Sequence, residues 1–166
     1  MEYRVLGNSV IKKDVADKAT GKARYGSDFL FPDLLTGKIL RSPLAHARIL
    51  KIDTRRALSL PGVKAVVTHE DTPHRVVGRW VKDRAILAWE RVRFIGDPVA
   101  AVAAVDEETA EDALGLISVE YEELPAVFDI AEAEKPTAPI VHERLASYEC
   151  DSTHFHPKGN MLAETR

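Results

Sequence analysis

The chain has 166 residues, of which 45% are hydrophobic and 30% charged, which fits one globular domain with or without a trailing segment. A formal net charge of −3, with lysine and arginine scattered along the chain, argues against a nucleic-acid-binding face. The single cysteine excludes an internal disulfide framework and suits a reducing compartment. No apolar run is long enough to cross a bilayer, and the start lacks a signal-peptide core, so we expect a cytoplasmic protein.

The first third of the chain predicts an extended lead-in followed by two strands. Residues 1–17 are weakly patterned and suggest the lead-in. Leu34–Leu40 predicts a strand in which Gly37 marks a turn or bulge. Arg48–Asp53 predicts a second strand. The alternation of side chains along this strand places Ile49 and Lys51 on one face and Leu50 and Ile52 on the other.

The middle of the chain predicts a short helix, a strand and a long loop. Asp53 or Thr54 caps a helix that runs to Leu60 and is stopped by Pro61-Gly62. Val63–Thr68 is rich in β-branched residues and predicts a third strand. The segment 69–82 has no period and predicts a loop, which we expect two large aromatic side chains to anchor: Trp80 and Trp89.

The segment from 91 to 125 carries the clearest strand, helix and strand pattern. Arg91–Ile95 alternates as a strand, and Val99–Val105 is an apolar run typical of a strand buried on both faces. Asp106 suits the N-cap of a helix. The core stripe of that helix is Ala110, Ala113, Leu114 and Ile117, with Ile117 already entering the next strand, which Leu124-Pro125 ends.

Strands alternating with short helices predict a mixed α/β domain over residues 18–128, with a mixed sheet. Residues 129–166 begin with a helical pattern at Asp129–Glu134 and become rich in proline and polar residues. They predict an extended linker or wrapping segment.

The usual catalytic motifs are missing. The Thr20–Ala23 stretch lacks the first glycine and the Ser/Thr of a P-loop, and no dinucleotide glycine motif or nucleophile elbow is found. The carboxylates of Glu120, Glu122 and Glu123 could be paired catalytic acids, but a solvated strand surface is the favoured interpretation. His46 follows a turn between strands, where a hydrogen-bonded structural histidine is favoured over a general base.

Four potential metal ligands lie close together in the trailing segment: His142, Cys150, His154 and His156. A thiolate with imidazoles suits tetrahedral zinc, but the spacing matches no common zinc motif. Whether these residues bind a metal stays open, and an inert cysteine is favoured over a nucleophile.

Several motifs in order resemble one enzyme family. They are DKATGKARY at Asp17–Tyr25, LRSPLAHARI at Leu40–Ile49, LPGV at Leu60–Val63, GDPVA at Gly96–Ala100 and VEYEELP at Val119–Pro125. Over about residues 5–130 the chain resembles the N-terminal α/β hammerhead domain of the molybdenum-binding large subunit of xanthine dehydrogenases and aldehyde oxidases. Asp97 departs from the family, which commonly has glutamine there. Asn160–Arg166 resembles the entry into the family's next domain.

The resemblance implies a molybdopterin-dependent parent enzyme that hydroxylates an aldehyde, an N-heteroaromatic ring or a related substrate with oxygen from water. It also implies [2Fe–2S] clusters and FAD on other domains or subunits, an oligomeric parent, and no nucleic-acid partner. The family's cofactor contacts and catalytic glutamate lie in later domains. We therefore expect no catalytic, cofactor-binding or metal-binding residue in this segment, which packs against molybdenum-binding domains of the same or a companion chain. The alternative is a stand-alone, non-catalytic assembly subunit that docks on separate molybdenum-bearing chains.

Overall fold

The computed structural model describes residues 7, 9, 11–29, 31–150 and 157–162. The chain divides into two compact units, residues 1–34 and 35–166. The first unit contains helix α1 (Val15–Ala19) and a 3-10 helix at Gly26–Asp28. Residues 15–17, predicted as extended, are therefore helical, because Lys18 N–H donates to the Asp14 carbonyl at 3.1 Å. The predicted domain boundaries at residues 17 and 128 stay predictions.

The second unit contains the strands and the longest helix. Its elements, in chain order, are β1 (Thr36–Arg41), β2 (Ala47–Asp53), α2 (Arg55–Leu58), β3 (Val63–Val67), β4 (Val76–Val77), β5 (Arg84–Ala85), β6 (Arg91–Val92), β7 (Pro98–Ala104), α3 (Glu107–Leu116), β8 (Ser118–Glu123) and α4 (Ile130–Ala133). Short 3-10 helices lie at His69–Asp71 and Leu145–Ser147. No helix in the described part of the chain is long and apolar enough to cross a membrane.

The strands form two three-stranded sheets, ordered β1-β7-β3 and β6-β2-β8, and a β4-β5 hairpin. The mixed α/β class is confirmed. The strand pairing differs from the predicted mixed sheet, because every strand pair among the described residues is antiparallel. The physical reason is that helix α3 connects β7 to β8, which belongs to the other sheet. Strand β8 therefore does not have to pair with β7 as its parallel neighbour.

The first core cluster lies between helix α3 and the β1-β7-β3 sheet. Strand β7 is the central strand of that sheet, as its apolar run predicts. The cluster consists largely of small side chains: Ala57, Ala100, Val102, Ala104, Ala110, Ala113 and Ile117. The predicted helix stripe is thus confirmed. Alanine lets the helix approach the sheet closely, so the packing tolerates little added volume.

The second cluster contains residues from strands of both three-stranded sheets: Ala47 of β2, Val92 of β6 and Val99 of β7, together with Ala88. Ile49 and Ile52 both pack against it, whereas Leu50 is 58% exposed. The predicted faces of this strand are therefore wrong. The physical reason is a register shift between Ile49 and Lys51, where one extra residue breaks the alternation of side chains.

Three further expectations are corrected. Gly37 is not a turn: it pairs regularly with Ala103, and the irregularity lies between Leu40 and Arg41. The strand predicted at Arg91–Ile95 ends at Val92, because the chain turns through Gly96, whose φ is +95°. The segment 69–82 is not simply a loop, since β4 pairs with β5.

Of the two predicted aromatic anchors, one is confirmed. The Trp89 ring stacks on His74, with centroids 5.2 Å apart. Trp80 is 66% exposed and instead lies beside Arg79, whose Cζ is 5.7 Å from the ring centroid. The short β4-β5 pairing closes the loop without it.

The Asp106 cap of helix α3 supplies a pH-dependent prediction. Its Oδ1 accepts from Thr109 N–H at 2.8 Å. Hydrogen bonding with the Thr109 side chain and with its backbone N–H lowers the pKa of Asp106. Because the folded-state pKa lies below the unfolded value, the cap stabilises the fold above the unfolded pKa, and this stability is lost as the pH falls through the folded pKa. We expect Asp106→Ala to lower the urea midpoint at pH 7 and to have a smaller effect at pH 3. The exposed Asp112→Ala, on the same helix, is the control. An equal effect of both variants at pH 7 would contradict the cap.

Candidate functional site

The trailing segment is attached to the edge of the β6-β2-β8 sheet by charged side chains. Arg91 Nη1 lies 2.9 Å from Glu143 Oε1, and Arg144 Nη2 lies 2.6 Å from Glu90 Oε2. Arg93 Nε donates to the Val141 carbonyl at 3.1 Å. These contacts place residues 141–144 directly beside β6.

Asn160 joins three parts of the same segment through its side-chain amide. Its Oδ1 accepts from Val141 N–H at 3.0 Å, and its Nδ2 donates to the carbonyls of Pro139 and Ala133 at 2.8 and 3.4 Å. Sequence reasoning assigned Asn160 no role within the fold. An asparagine that follows a proline-containing stretch is the signal that could have found it, because such stretches lack regular backbone pairing.

We expect Asn160→Ala to open this segment locally. Loss of a hydrogen bond worth about 1 kcal/mol should raise the exchange rate of the Val141 amide by several-fold. Hydrogen exchange with mass spectrometry measures it. Asn160→Asp, which keeps the acceptor but removes both donations, should retain more Val141 protection than Asn160→Ala. Unchanged exchange in both variants would show that the side chain does not hold the segment.

A cleft of about 640 Å³ lies between β5, β6, the start of β7 and this segment. Five arginines line it: Arg41, Arg84, Arg91, Arg93 and Arg144. Three carboxylates line it as well: Asp83, Glu90 and Asp97. Burial raises the pKa of Asp97, and the Arg93 N–H that donates to its Oδ2 at 3.0 Å opposes that shift. The Asp97 carboxylate therefore stabilises the turn before β7 by accepting this hydrogen bond.

The arginine cleft does not fit the molybdopterin that the resemblance implies for the parent. An anionic pterin needs cationic donors that are not already engaged. Arg91 and Arg144 are paired with glutamates, and Arg41 Nη1 donates to the Gly96 carbonyl at 2.9 Å. The cleft's own carboxylates repel a phosphate group. We derive no chemistry through this cofactor from these residues.

His46 is a hydrogen-bonded structural histidine, as predicted. It is 5% exposed, and its Nδ1 lies 2.7 Å from the Pro125 carbonyl oxygen. It joins the start of β2 to the chain just after β8, where Leu124 N–H also donates to the His46 carbonyl at 2.9 Å. Its Nε2 is buried and has no hydrogen-bond partner among the described residues.

A small groove lies beside His46. We call it the Phe128 groove; it has a volume of about 220 Å³ and is lined by Ala45, His46, Arg93, Phe94, Ile95, Ala126, Val127, Phe128 and Val141. Phe94 and Ile95 come from the loop before β7, and Phe128 from the segment after β8. Sequence reasoning missed this site. Two adjacent apolar residues directly before a turn glycine, Phe94-Ile95-Gly96, were the available signal.

Of the four potential zinc ligands of the sequence, two lie in the part of the chain that the structure describes, His142 and Cys150. His142 Nδ1 lies 3.3 Å from the Tyr148 hydroxyl, and burial lowers the pKa of His142. Cys150 pairs with Val81 in an isolated bridge. His154 and His156 lie outside the described residues. Within residues 7, 9, 11–29, 31–150 and 157–162, no group of three or more His, Cys, Asp or Glu side chains forms a metal site. The four-ligand hypothesis itself stays untested.

The carboxylates of β8 form surface ion pairs with β2. Glu122 Oε2 lies 2.5 Å from Arg48 Nη1, and Glu120 Oε1 lies 3.9 Å from Lys51 Nζ. The solvated surface predicted for these residues is confirmed, since all four side chains are about half exposed. Such exposed pairs contribute little to stability.

The chain is similar to known proteins over most of its length. The family model described as "Aldehyde oxidase and xanthine dehydrogenase, a/b hammerhead domain" matches residues 20–125. The chain is 44% identical over 136 residues to a probable xanthine dehydrogenase subunit of Bacillus subtilis, covering 81% of this chain and 18% of that protein. It is 36% identical over 142 residues to "Nicotinate dehydrogenase large molybdopterin subunit" of Eubacterium barkeri, covering 85% of this chain and 33% of that protein.

The fold also matches a solved structure, that of quinoline 2-oxidoreductase from Pseudomonas putida 86. The TM-score is 0.70 at 39% identity, over 80% of this chain and 18% of that chain. The chain thus spans between about a fifth and a third of the length of these relatives. It belongs to the aldehyde oxidase and xanthine dehydrogenase family, and its residues 20–125 are the family's a/b hammerhead domain.

Proposed function

We propose that this chain is the hammerhead part of a larger molybdopterin-dependent oxidoreductase. The parent hydroxylates a carbon of an aldehyde, an N-heteroaromatic ring or a related substrate with oxygen from water. Its electrons leave through [2Fe–2S] clusters and FAD on other domains or subunits. The family match over residues 20–125 carries this proposal, and the molybdopterin subunit named for the Eubacterium barkeri relative supports it. The one-cysteine composition suits a cytoplasmic parent.

Within that parent, the role of these residues is packing and positioning, not catalysis. The His46 hydrogen bond to Pro125 and the ion pairs of Glu143 and Glu90 support this role, because they connect separate segments of the fold and include no nucleophile. The Ser42–His46 turn and the 69–89 loop then border the molybdenum-bearing domains and help to wall the substrate approach.

Metal analysis of the purified parent protein tests this function. We expect molybdenum in stoichiometric amount in the parent, and dye reduction with a panel of aldehydes and N-heteroaromatics. The 166-residue chain expressed by itself should carry neither. Stoichiometric molybdenum on the chain alone, or a parent without molybdenum, would contradict the proposal.

The positioning role has its own test. We expect deletion of residues 72–80 from the parent to alter activity or the relative rates with different substrates, while molybdenum is retained. Activity and substrate preference equal to those of the intact parent would contradict a role of this loop in the substrate approach.

A further inference from the structure

Residues 142–150, which we call the strap, lie antiparallel to residues 81–91. The contacts between the two stretches run in opposite directions along the chain. The partners, in order, are Val81 with Cys150, Lys82 with Glu149, Glu90 with Arg144, and Arg91 with Glu143. The strap therefore follows the stretch 81–91 from one end to the other.

The ion pairs of the strap alternate in sign. At positions 90 and 91 the chain carries a negative and then a positive charge, and the facing positions 144 and 143 carry the opposite charges. A slip of the strap by one residue in one direction would place Arg144 against Arg91. A slip in the other direction would place Glu143 against Glu90. Because like charges at contact distance repel each other, the charge pattern disfavours both slipped registers.

The strap forms one wall of the arginine cleft. It contributes the following lining residues: His142, Arg144, Ser147 and Tyr148. The facing wall belongs to the stretch with which the strap is paired, and it includes Arg84 and Trp89. Separation of the strap from this stretch would therefore open the cleft.

The contacts that hold the strap are weak compared with those of the domain core. The charged side chains of Glu143, Arg144 and Glu149 are each more than half exposed, and such exposed ion pairs contribute little and are screened by salt. The buried side chain of the strap is Leu145. A segment held by one buried apolar side chain and exposed charges opens at a lower free-energy cost than the core strands do.

The strap has internal contacts that keep it together when it separates. His142 Nδ1 lies 3.3 Å from the Tyr148 hydroxyl, and the two rings meet edge to face with centroids 5.7 Å apart. Residues 145–147 between them form a 3-10 helix. Directly before the strap, Val141 is fixed by Arg93 and Asn160 through its carbonyl and its N–H. The strap can therefore move as a unit about a fixed start.

We propose that the strap is a detachable wall of the arginine cleft. Its charge pattern sets the register in which it closes, and it opens as a unit while the rest of the domain stays folded. Raising the ionic strength favours the open state, because salt screens the three exposed ion pairs. This conformational change is independent of the proposed function.

Hydrogen exchange with mass spectrometry on the full 166-residue chain tests the opening. Raising sodium chloride from about 0.1 M to about 1 M shortens the screening length from about 10 Å to about 3 Å. We expect the amides of the strap to exchange several-fold faster at the higher salt concentration, whereas the amides of β7 keep their protection. Unchanged exchange of the strap, or an equal increase in β7, would overturn the proposal.

Exchanging the charges of one ion pair tests the register. Arg144→Glu places a carboxylate beside Glu90, and Glu90→Arg places a second guanidinium beside Arg144, so each should raise strap exchange several-fold. The double variant restores opposite charges and should return strap exchange to within about twofold of the unmodified chain. Lys51→Glu is the control, since it reverses one charge of the exposed pair with Glu120 between β2 and β8 and should leave strap exchange unchanged. A double variant no better protected than the single variants would overturn the charge register.

Fluorescence quenching by acrylamide measures whether the cleft opens with the strap. The chain has two tryptophans, so Trp80→Phe, which changes an exposed side chain, leaves Trp89 in the cleft as the reporter. In this background, Arg144→Glu should increase the quenching of Trp89, and the added Glu90→Arg should reverse the increase. Quenching that stays constant while strap exchange changes would overturn the assignment of the strap as a wall of the cleft.

Discussion

Replacing Ala113 by leucine should lower the free energy of unfolding by about 1–3 kcal/mol, because the side chain faces a close helix-to-sheet contact. Ala113 is fully buried, as are its neighbours in the cluster Ala57, Ala100 and Ala104. These side chains are methyl groups, so three additional carbons can be accommodated only by moving helix α3 away from the sheet. The separation of the helix from β7 would then increase, and the contacts of the whole cluster would weaken.

Urea denaturation of the 166-residue chain measures this effect. Asp112→Leu is the matched control, since it places the same side chain one residue earlier on the exposed face of the helix, where substitutions usually change stability by less than about 0.5 kcal/mol. If Ala113→Leu were as stable as the control, the close packing of α3 on the sheet would be refuted.

Gly62→Ala should destabilise the fold by about 1–2 kcal/mol, because the left-handed conformation is strained for an L residue with a Cβ atom. Gly62 has a φ of +93°, and a Cβ there would lie 3.0 Å from Val105 Cγ2 and 3.1 Å from Thr109 Cγ2. A backbone hydrogen bond also connects this turn to the end of β7, since Val105 N–H donates to the Gly62 carbonyl at 3.0 Å. Both the backbone conformation and the crowding oppose a side chain.

Gly115→Ala should have the opposite effect on the stability of the same chain. Gly115 lies inside helix α3, and a Cβ there meets nothing within 4 Å. Alanine should stabilise the helix by about 0.5–1 kcal/mol relative to glycine. Thermal and urea unfolding of the two variants and of the unmodified chain measure both the expected loss and the expected gain of stability. Destabilisation by Gly115→Ala, or no loss with Gly62→Ala, would contradict the respective explanation.

The core clusters fix the strand ends that border the Phe128 groove. Strand β7 begins at Pro98, directly after the loop that carries Phe94 and Ile95. Strand β8 ends at Glu123, shortly before Phe128. His46 bonds across from the start of β2 to Pro125. The walls of the groove therefore keep their separation only while these strands keep their register.

The strongest patterns of the sequence were confirmed where local chemistry decides the structure. The apolar run at 99–105 is the central strand β7, Asp106 caps α3, and the helical pattern predicted at Asp129–Glu134 contains α4. The expectations for Gly37 and Leu50 failed, because a pairing partner far away in the sequence decides the conformation or the exposed face of each residue. Whether Gly37 is a strand residue depends on Ala103, and which face Leu50 occupies depends on the register shift opposite β8.

By itself the sequence determined the class of the domain, the capped helix α3 and the family, because each of these depends on residues close together in the chain or on ordered motifs. The tertiary structure alone decided which strands pair, that the sheets are separate and antiparallel, and that Phe94, Ile95, Phe128 and His46 line one groove. The physical reason is that these side chains come from segments far apart in the chain, and only the register of β2, β7 and β8 brings them together.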